Sequence, residues 1–388
     1  MLTQVVERVS RQPGPAMLAF ALGTLPGMLA AYVLTGGSNA ASPAVVALQP
    51  PVRTTSTVVV TTPSAPAQGS ETTQPTTSEN RTPVIRPAER TAFVKALKTG
   101  AKAAQSVAGG GAAEVGVWVD TWPEPIIDTS YGGDISMRMW STGKPPTAIA
   151  VLQAAGDQLN PYFDEWMKGA IERSENCPWR AMVLYLQDLS GGSPLAATQR
   201  FEAVLAHAGA KRVRTYAKPA SLEGSCARAE RSMHLPSRLG EPAPQFGVTT
   251  WHIEDAVRFA FALGGGRYDA AGDAVLKEMR QQKSPSTELI DPKRDYTPDP
   301  NWGAGTVFAG WDPAYKAGWG GLRKPGNFML AQYVVLNFRG HNIAIAAAFH
   351  PNTQPTLDDP GQNNADQAIV RMLDPIRAAI EMWYGGSR

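Results

Sequence analysis

The sequence predicts an α+β fold. A five-stranded antiparallel sheet is built from both chain ends and flanked by helices, with an all-helical lobe inserted between its halves. Three observations predict this. Alternating apolar residues occur early, around EVGVWVDTW, and return after residue 314. Between them the apolar residues fall at helical spacing. Helical runs also open and close this part of the chain. Strands at both ends with helices between them favour one antiparallel sheet over alternating parallel units.

The elements follow in order. A first helix is expected over residues 88–107, where Phe93, Leu97 and Ala101 share a face, and Gly109, Gly110 and Gly111 stop it. Val115, Val117 and Val119 then alternate as a strand does, and a turn at residues 123–125 leads to a second strand at 126–129. After Ser141 come helical stretches at 147–155, 162–173, 179–189, 195–208, 253–263 and 270–281. Beyond a Pro- and Gly-rich section, strands are expected at 314–317, 328–338 and 343–349. The last two form a hairpin across Arg339-Gly340-His341-Asn342. A helix over 367–383 closes the chain.

The 388 residues carry a net charge of +2, which argues against a broad nucleic-acid-binding face. Only 18% are charged, and the deficit is local: no Asp, Glu, Lys or Arg lies between Pro13 and Pro51. Within that gap residues 16–34 (AMLAFALGTLPGMLAAYVL) are apolar, following Arg8 and Arg11. This is a transmembrane anchor with residues 1–15 cytoplasmic, or a secretory signal cut near Ser38-Asn39-Ala40. Residues 35–87, rich in Thr, Ser and Pro, read as an extended tether, so the domain proper runs over 88–388 outside the cytoplasm. The sole cysteines, Cys177 and Cys226, are a disulfide pair in an oxidising compartment or two small buried apolar residues. The five histidines show no metal-ligand spacing, and no cofactor is expected.

The sharpest local motif is Ser141-Thr142-Gly143-Lys144. Ser and Lys three apart at a helix start share one face. A serine becomes a useful nucleophile when a neighbouring base takes its proton, and a lysine whose pKa is lowered serves as one. The helix start also presents N–H groups to a developing oxyanion. Alone the spacing is weak; an N-cap serine beside a solvated lysine gives the same letters. Two later motifs add context: Ser174-Glu175-Asn176, and Lys316-Ala317-Gly318-Trp319 on an expected strand.

S-x-x-K, S-x-N and K-x-G in this order resemble the penicillin-recognising serine enzymes, the serine β-lactamases and penicillin-binding proteins, with class A β-lactamases most similar. The resemblance spans residues 90–384 and includes AIERSEN and GVTTWHIEDAVRFAFAL. It implies a serine hydrolase forming an acyl-enzyme on a β-lactam or D-alanyl peptide, acting as a monomer. It implies Ser141 as nucleophile, Lys144 as general base and Ser174 as proton relay. Lys316 becomes the cation that attracts a substrate carboxylate. Asn176, Ala317, Gly318 and Trp319 would bind substrate, with the Ser141 and Trp319 N–H groups as oxyanion hole. The alternative is an envelope-binding module that uses the same cleft without turnover.

This sequence departs from the pattern. Ala317 stands where a hydroxyl residue is usual. No E-x-x-L-N segment supplies a deacylating glutamate; its place by alignment falls near Lys218-Pro219-Ala220, with Glu223 the nearest carboxylate. Pro145-Pro146 follow Lys144 directly and threaten its geometry. Ser141 and Ser174 lie close in sequence, which implies a trimmed lobe. Trp140, Trp302, Trp311 and Trp319 cluster near the motifs, as a cleft rim or as packing.

Overall fold

The computed structural model describes residues 87–107, 109–120, 125–216, 219–220, 226, 234–282, 303–320, 328–352 and 364–385. The expected cytoplasmic segment, membrane segment and tether lie outside the described residues, as do Lys218, Glu223 and Trp302. Among the described residues no helix is long and apolar enough to cross a membrane.

In chain order the elements begin with α1 (Pro87–Gln105), β1 (Gly111–Val119), β2 (Ile127–Gly132) and β3 (Met137–Arg138). A 3-10 turn (Trp140–Gly143) leads into α2 (Lys144–Ala155), α3 (Phe163–Ile171), α4 (Asn176–Leu189) and α5 (Pro194–His207). A second 3-10 turn (Phe246–Val248) precedes β4 (Thr250–Trp251), α6 (Ile253–Gly264), α7 (Asp269–Arg280) and α8 (Ala304–Val307). The chain ends in β5 (Ala314–Gly320), β6 (Met329–Phe338), β7 (His341–Pro351) and α9 (Asn364–Tyr384).

The main sheet has five strands in the order β2-β1-β7-β6-β5, all antiparallel, so both chain ends build it as expected. Its side chains alternate between two cores. Val115, Val117, Ile343 and Ile345 face Phe93, Leu97, Met372 and Ile376 of the terminal helices. Ala344, Ala346, Ala348 and Tyr333 face the lobe, packed with Trp251, Phe259 and Phe261. Both faces are covered, so β1 reads as a nearly continuous buried run.

Three local expectations change. The first lobe helix starts at Lys144 rather than at 147, because Pro145 and Pro146 occupy its first turn. Backbone N–H groups there lack intrahelical partners in any case, so two prolines cost the helix nothing. The hairpin is tighter than expected: Phe338 pairs with His341 across Arg339 and Gly340, both at positive φ. The two-residue strands β3 and β4 pair with each other in a small second sheet that periodicity cannot reveal.

Cys177 and Cys226 are bonded, with Cα atoms 5.5 Å apart, which decides between the two cysteine readings. One turn further along α4, the buried guanidinium of Arg180 donates to the carbonyls of Ala220 (2.8 Å), Leu239 (3.3 Å), Ala243 (3.3 Å) and Glu241. Burial lowers its pKa from the usual arginine value. One side chain thus fixes the segment that faces α4. Arg180→Met removes all four bonds, with the Ala220 and Ala243 carbonyls keeping only each other's N–H groups, and is expected to cost about 3 kcal/mol. Thermal unfolding reads the loss, and limited proteolysis should cut first within residues 219–243.

Candidate active site

Ser141 lies in the 3-10 turn, half-buried, and Lys144 follows it as the first residue of α2. A 3-10 turn stacks residues three apart, so the motif spacing becomes a shared face by this route and not by a continuous α-helix. The turn is held from several sides. Thr142 Oγ1 donates to the Met139 carbonyl, and Tyr333 Oη donates to the Thr142 carbonyl at 3.1 Å. Thr147 Oγ1 donates to the Gly143 carbonyl at 2.7 Å, and Trp179 Nε1 donates to Thr147 Oγ1 at 3.0 Å. Trp140, just before Ser141, has φ +43°, a left-handed conformation that costs a non-glycine residue on the order of 1 kcal/mol.

Strand β5 runs directly against this turn. A Cβ at Gly318 would lie 2.6 Å from the Met139 carbonyl oxygen and 3.0 Å from the Ser141 nitrogen. A Cβ at Gly320 would enter the Trp140 ring. Only glycine at both positions lets the strand approach so closely. The K-x-G part of the motif thereby acquires a physical reason, and Lys316 is brought to Ser174.

Both lysines are fully buried. Lys316 Nζ donates to Ser174 Oγ at 2.9 Å and to the Ala317 carbonyl at 3.1 Å. Lys144 Nζ donates to the Ser174 carbonyl and lies 3.4 Å from Ser174 Oγ. Ser174 itself has φ +58° and is buried at the mouth of α4. Sequence spacing predicts Lys144 Nζ on Ser141 Oγ; among the described residues Ser141 Oγ makes no hydrogen bond. The reason is electrostatic. A buried amine that donates its N–H groups is best satisfied by a strong acceptor, and a main-chain carbonyl is a stronger one than a hydroxyl.

Burial, with the neighbouring Lys316 charge second, holds the Lys144 amine well below the usual lysine pKa; Glu175 opposes this weakly. Burial brings Lys316 down to about 7. Glu175 is not the lysines' partner, because Arg173 Nε takes its carboxylate at 2.9 Å. Two buried amines around one hydroxyl therefore hold fewer than two protons near neutral pH.

Of the other expected site residues, Asn176 is exposed at the start of α4. Ala317 and Gly318 are buried on β5, and Trp319 is half-buried. The tryptophans do not form one rim. Trp140 lines a cavity beside the 3-10 turn that holds Ser141, whereas Trp311 stacks on Phe338 at 4.1 Å and Trp319 packs near Phe328. Sequence reasoning missed Tyr333, Arg180 and Trp179. Arg180 alone carries a signal, an arginine between Trp179 and the apolar run AMVLYL.

That cavity holds about 270 Å³. It lies between the first 3-10 turn, α4 and residues 244–248. Its lining consists of Trp140, Asn176, Trp179, Arg180, Val183 and residues 244–248 (PQFGV). Among these described residues there is no Asp, Glu or His.

No family model matches the chain, and no curated protein does. Solved structures do. A class A β-lactamase from Bacteroides cellulosilyticus is 14% identical, with 75% of this chain and 99% of that one covered and a TM-score of 0.47. A β-lactamase from Chitinophaga pinensis is 15% identical over 74% and 99%, with a TM-score of 0.47. The chromosome-encoded β-lactamase of Vibrio parahaemolyticus is 16% identical over 71% and 95%, with a TM-score of 0.45.

Proposed function

We propose that this protein is an extracytoplasmic serine hydrolase of the penicillin-recognising type, tethered through its N-terminal segment, that forms a slowly hydrolysed acyl-enzyme at Ser141. The observation that carries this reading is the Lys144–Ser174–Lys316 array beside Ser141, two buried amines joined through one hydroxyl. Such an array moves protons and has little use as packing, since each buried amine costs stability.

The steps follow from the roles. Ser141 Oγ attacks an amide or β-lactam carbonyl, and the neutral Lys144 amine takes its proton. Hydrogen bonds at such sites are often absent without substrate and form in its complex. The N–H groups of Ser141 and Trp319 stabilise the oxyanion, supported by the close approach of β5 to the turn. Ser174 passes a proton to the leaving nitrogen, and Lys316 replaces it. Ala317 offers no hydroxyl to a substrate carboxylate, which leaves Lys316 to hold it, while Asn176 holds the acylamide side chain. Deacylation needs a base that activates water. Among the described residues the lining of the cavity beside Ser141 holds no carboxylate or histidine for that role, which supports a long-lived adduct.

A second reading is favoured by Lys144 facing Ser174 instead of Ser141: a module that binds wall fragments in this cleft without turnover. Time-resolved intact-mass analysis with a panel of β-lactams separates the two. The proposal predicts an adduct that persists for many minutes. A full panel that leaves the mass unchanged refutes it, and an adduct gone within seconds refutes slow deacylation.

A further inference from the structure

We infer that a cavity on the outer face of the small β3–β4 sheet binds a phosphoryl group carried on a sugar or polyol. The site is separate from the array around Ser174. None of Ser141, Lys144, Ser174 and Lys316 lines it, and it stands whether or not Ser141 is acylated.

This cavity holds about 530 Å³ and is lined by residues 211–214 with Ser136, Tyr216, Thr250 and His252. Backbone pairing explains the set. Thr250 of β4 pairs with Arg138 of β3 on one side. On the other it exchanges both main-chain hydrogen bonds with Arg214, at 2.8 and 2.9 Å. Directly paired residues share a face. Ser136, Arg212, Tyr216 and His252 lie two residues along from these three, so period two returns them to that face. Met137, Val213 and Trp251 fall between them and pack into the lobe core. The result is an amphipathic patch of three short segments, apolar inward, cationic and hydroxylic outward.

Charge decides what fits there. Lys211, Arg212, Arg214 and His252 line the cavity, and among the described residues no carboxylate does. The carboxylates nearby are already engaged. Asp134 takes the Arg212 guanidinium and lies 3.1 Å from His252 Nδ1. Asp255 accepts the main-chain N–H groups of Lys211 at 2.8 Å and Arg212 at 3.2 Å. Glu202 accepts from Thr215, and Glu254 accepts from Arg258. Lys211 and Arg214 are exposed, and among the described residues no ion pair holds either. One arginine fork, one ammonium and the Ser136, Thr250 and Tyr216 hydroxyls offer more donors than the two oxygens of a carboxylate take up. They suit the three or more oxygens of a phosphoryl group. The volume exceeds that of a phosphate ion, so the group that carries it fits as well. The Tyr216 ring, 55% exposed, gives that carrier a flat surface to lie against.

The test is calorimetric binding of glucose 6-phosphate, inorganic phosphate, glucuronate and glucose to the full chain at low ionic strength. Glucose 6-phosphate is expected to bind more tightly than inorganic phosphate or glucuronate, and glucose not at all. Arg214→Gln and Lys211→Gln should each weaken it about tenfold, since each removes a charge-assisted hydrogen bond. Both side chains are exposed, so the melting temperature should not move. Tyr216→Ala should bring glucose 6-phosphate down to the affinity of inorganic phosphate. Equal affinity in wild type and Arg214→Gln overturns the inference, as does a chain that binds no glucose 6-phosphate. Glucuronate bound as tightly as glucose 6-phosphate overturns the phosphoryl assignment. Retention on phosphatidylglycerol vesicles without binding of the soluble ester makes this face a membrane contact and overturns it too.

Discussion

Changing Ser141 to alanine is expected to abolish covalent labelling by β-lactams and active esters while leaving the melting temperature unchanged. The two halves of this result have separate causes. Labelling is lost because the only atom removed is the proposed nucleophile. Stability is kept because Ser141 Oγ makes no hydrogen bond among the described residues. The turn is instead held by Thr142, Thr147 and Tyr333. A half-buried hydroxyl without a partner contributes within about 0.5 kcal/mol. A calorimetric scan beside the mass spectrum reads both. Undiminished labelling of the variant contradicts the assignment, and loss of labelling with a large drop in melting temperature leaves unfolding as the cause.

The second large effect is a pH dependence set by the lysine pair. Lys316 has a pKa of about 7 in the folded protein against about 10.5 when exposed. As the proton donor to Ser174 it must be charged, so acylation should fall as pH rises through about 7. Lys144 must be neutral to act as base, and its strongly lowered pKa places the rising limb below the usual lysine range. Lys316→Arg keeps the charge at all these pH values and should remove the falling limb, though the arginine fork lowers the rate itself. Stability moves the opposite way. Between pH 7 and 10 the unfolded chain holds a proton on this lysine that the folded protein does not. Unfolding free energy therefore rises with pH, by a few kcal/mol on the order-of-magnitude scale of such shifts. Above about pH 10 the trend reverses, because burial raises the pKa of Tyr333 and the unfolded tyrosine ionises first. A rate profile without a falling limb, or stability that declines from pH 7 to 9, contradicts the paired-lysine account.

The sheet and lobe were legible because their signals are local and periodic. Alternation in EVGVWVDTW and the later strands, and helical spacing between them, follow from burial on one or both faces. The site was legible only as a list. Spacing brings Lys144 onto the face of Ser141, but where its amine points is decided by which acceptor is nearest once it is buried. That acceptor, the Ser174 carbonyl, is presented by a left-handed residue thirty positions away. Pro145 and Pro146 suggested a disturbed motif, yet they mark the first turn of α2. The tryptophans near the motifs read as a cluster because sequence distance hides that β5 presents Trp319 and the lobe presents Trp140. The cavity beside Ser141 was invisible beforehand, since its walls come from three segments with no shared pattern.

The most direct measurement of the central claim is peptide mapping of the protein after reaction with a β-lactam or an active ester. The account predicts one modified peptide, with the added mass on Ser141. Mass on another residue, or none on any peptide across the whole panel, contradicts it.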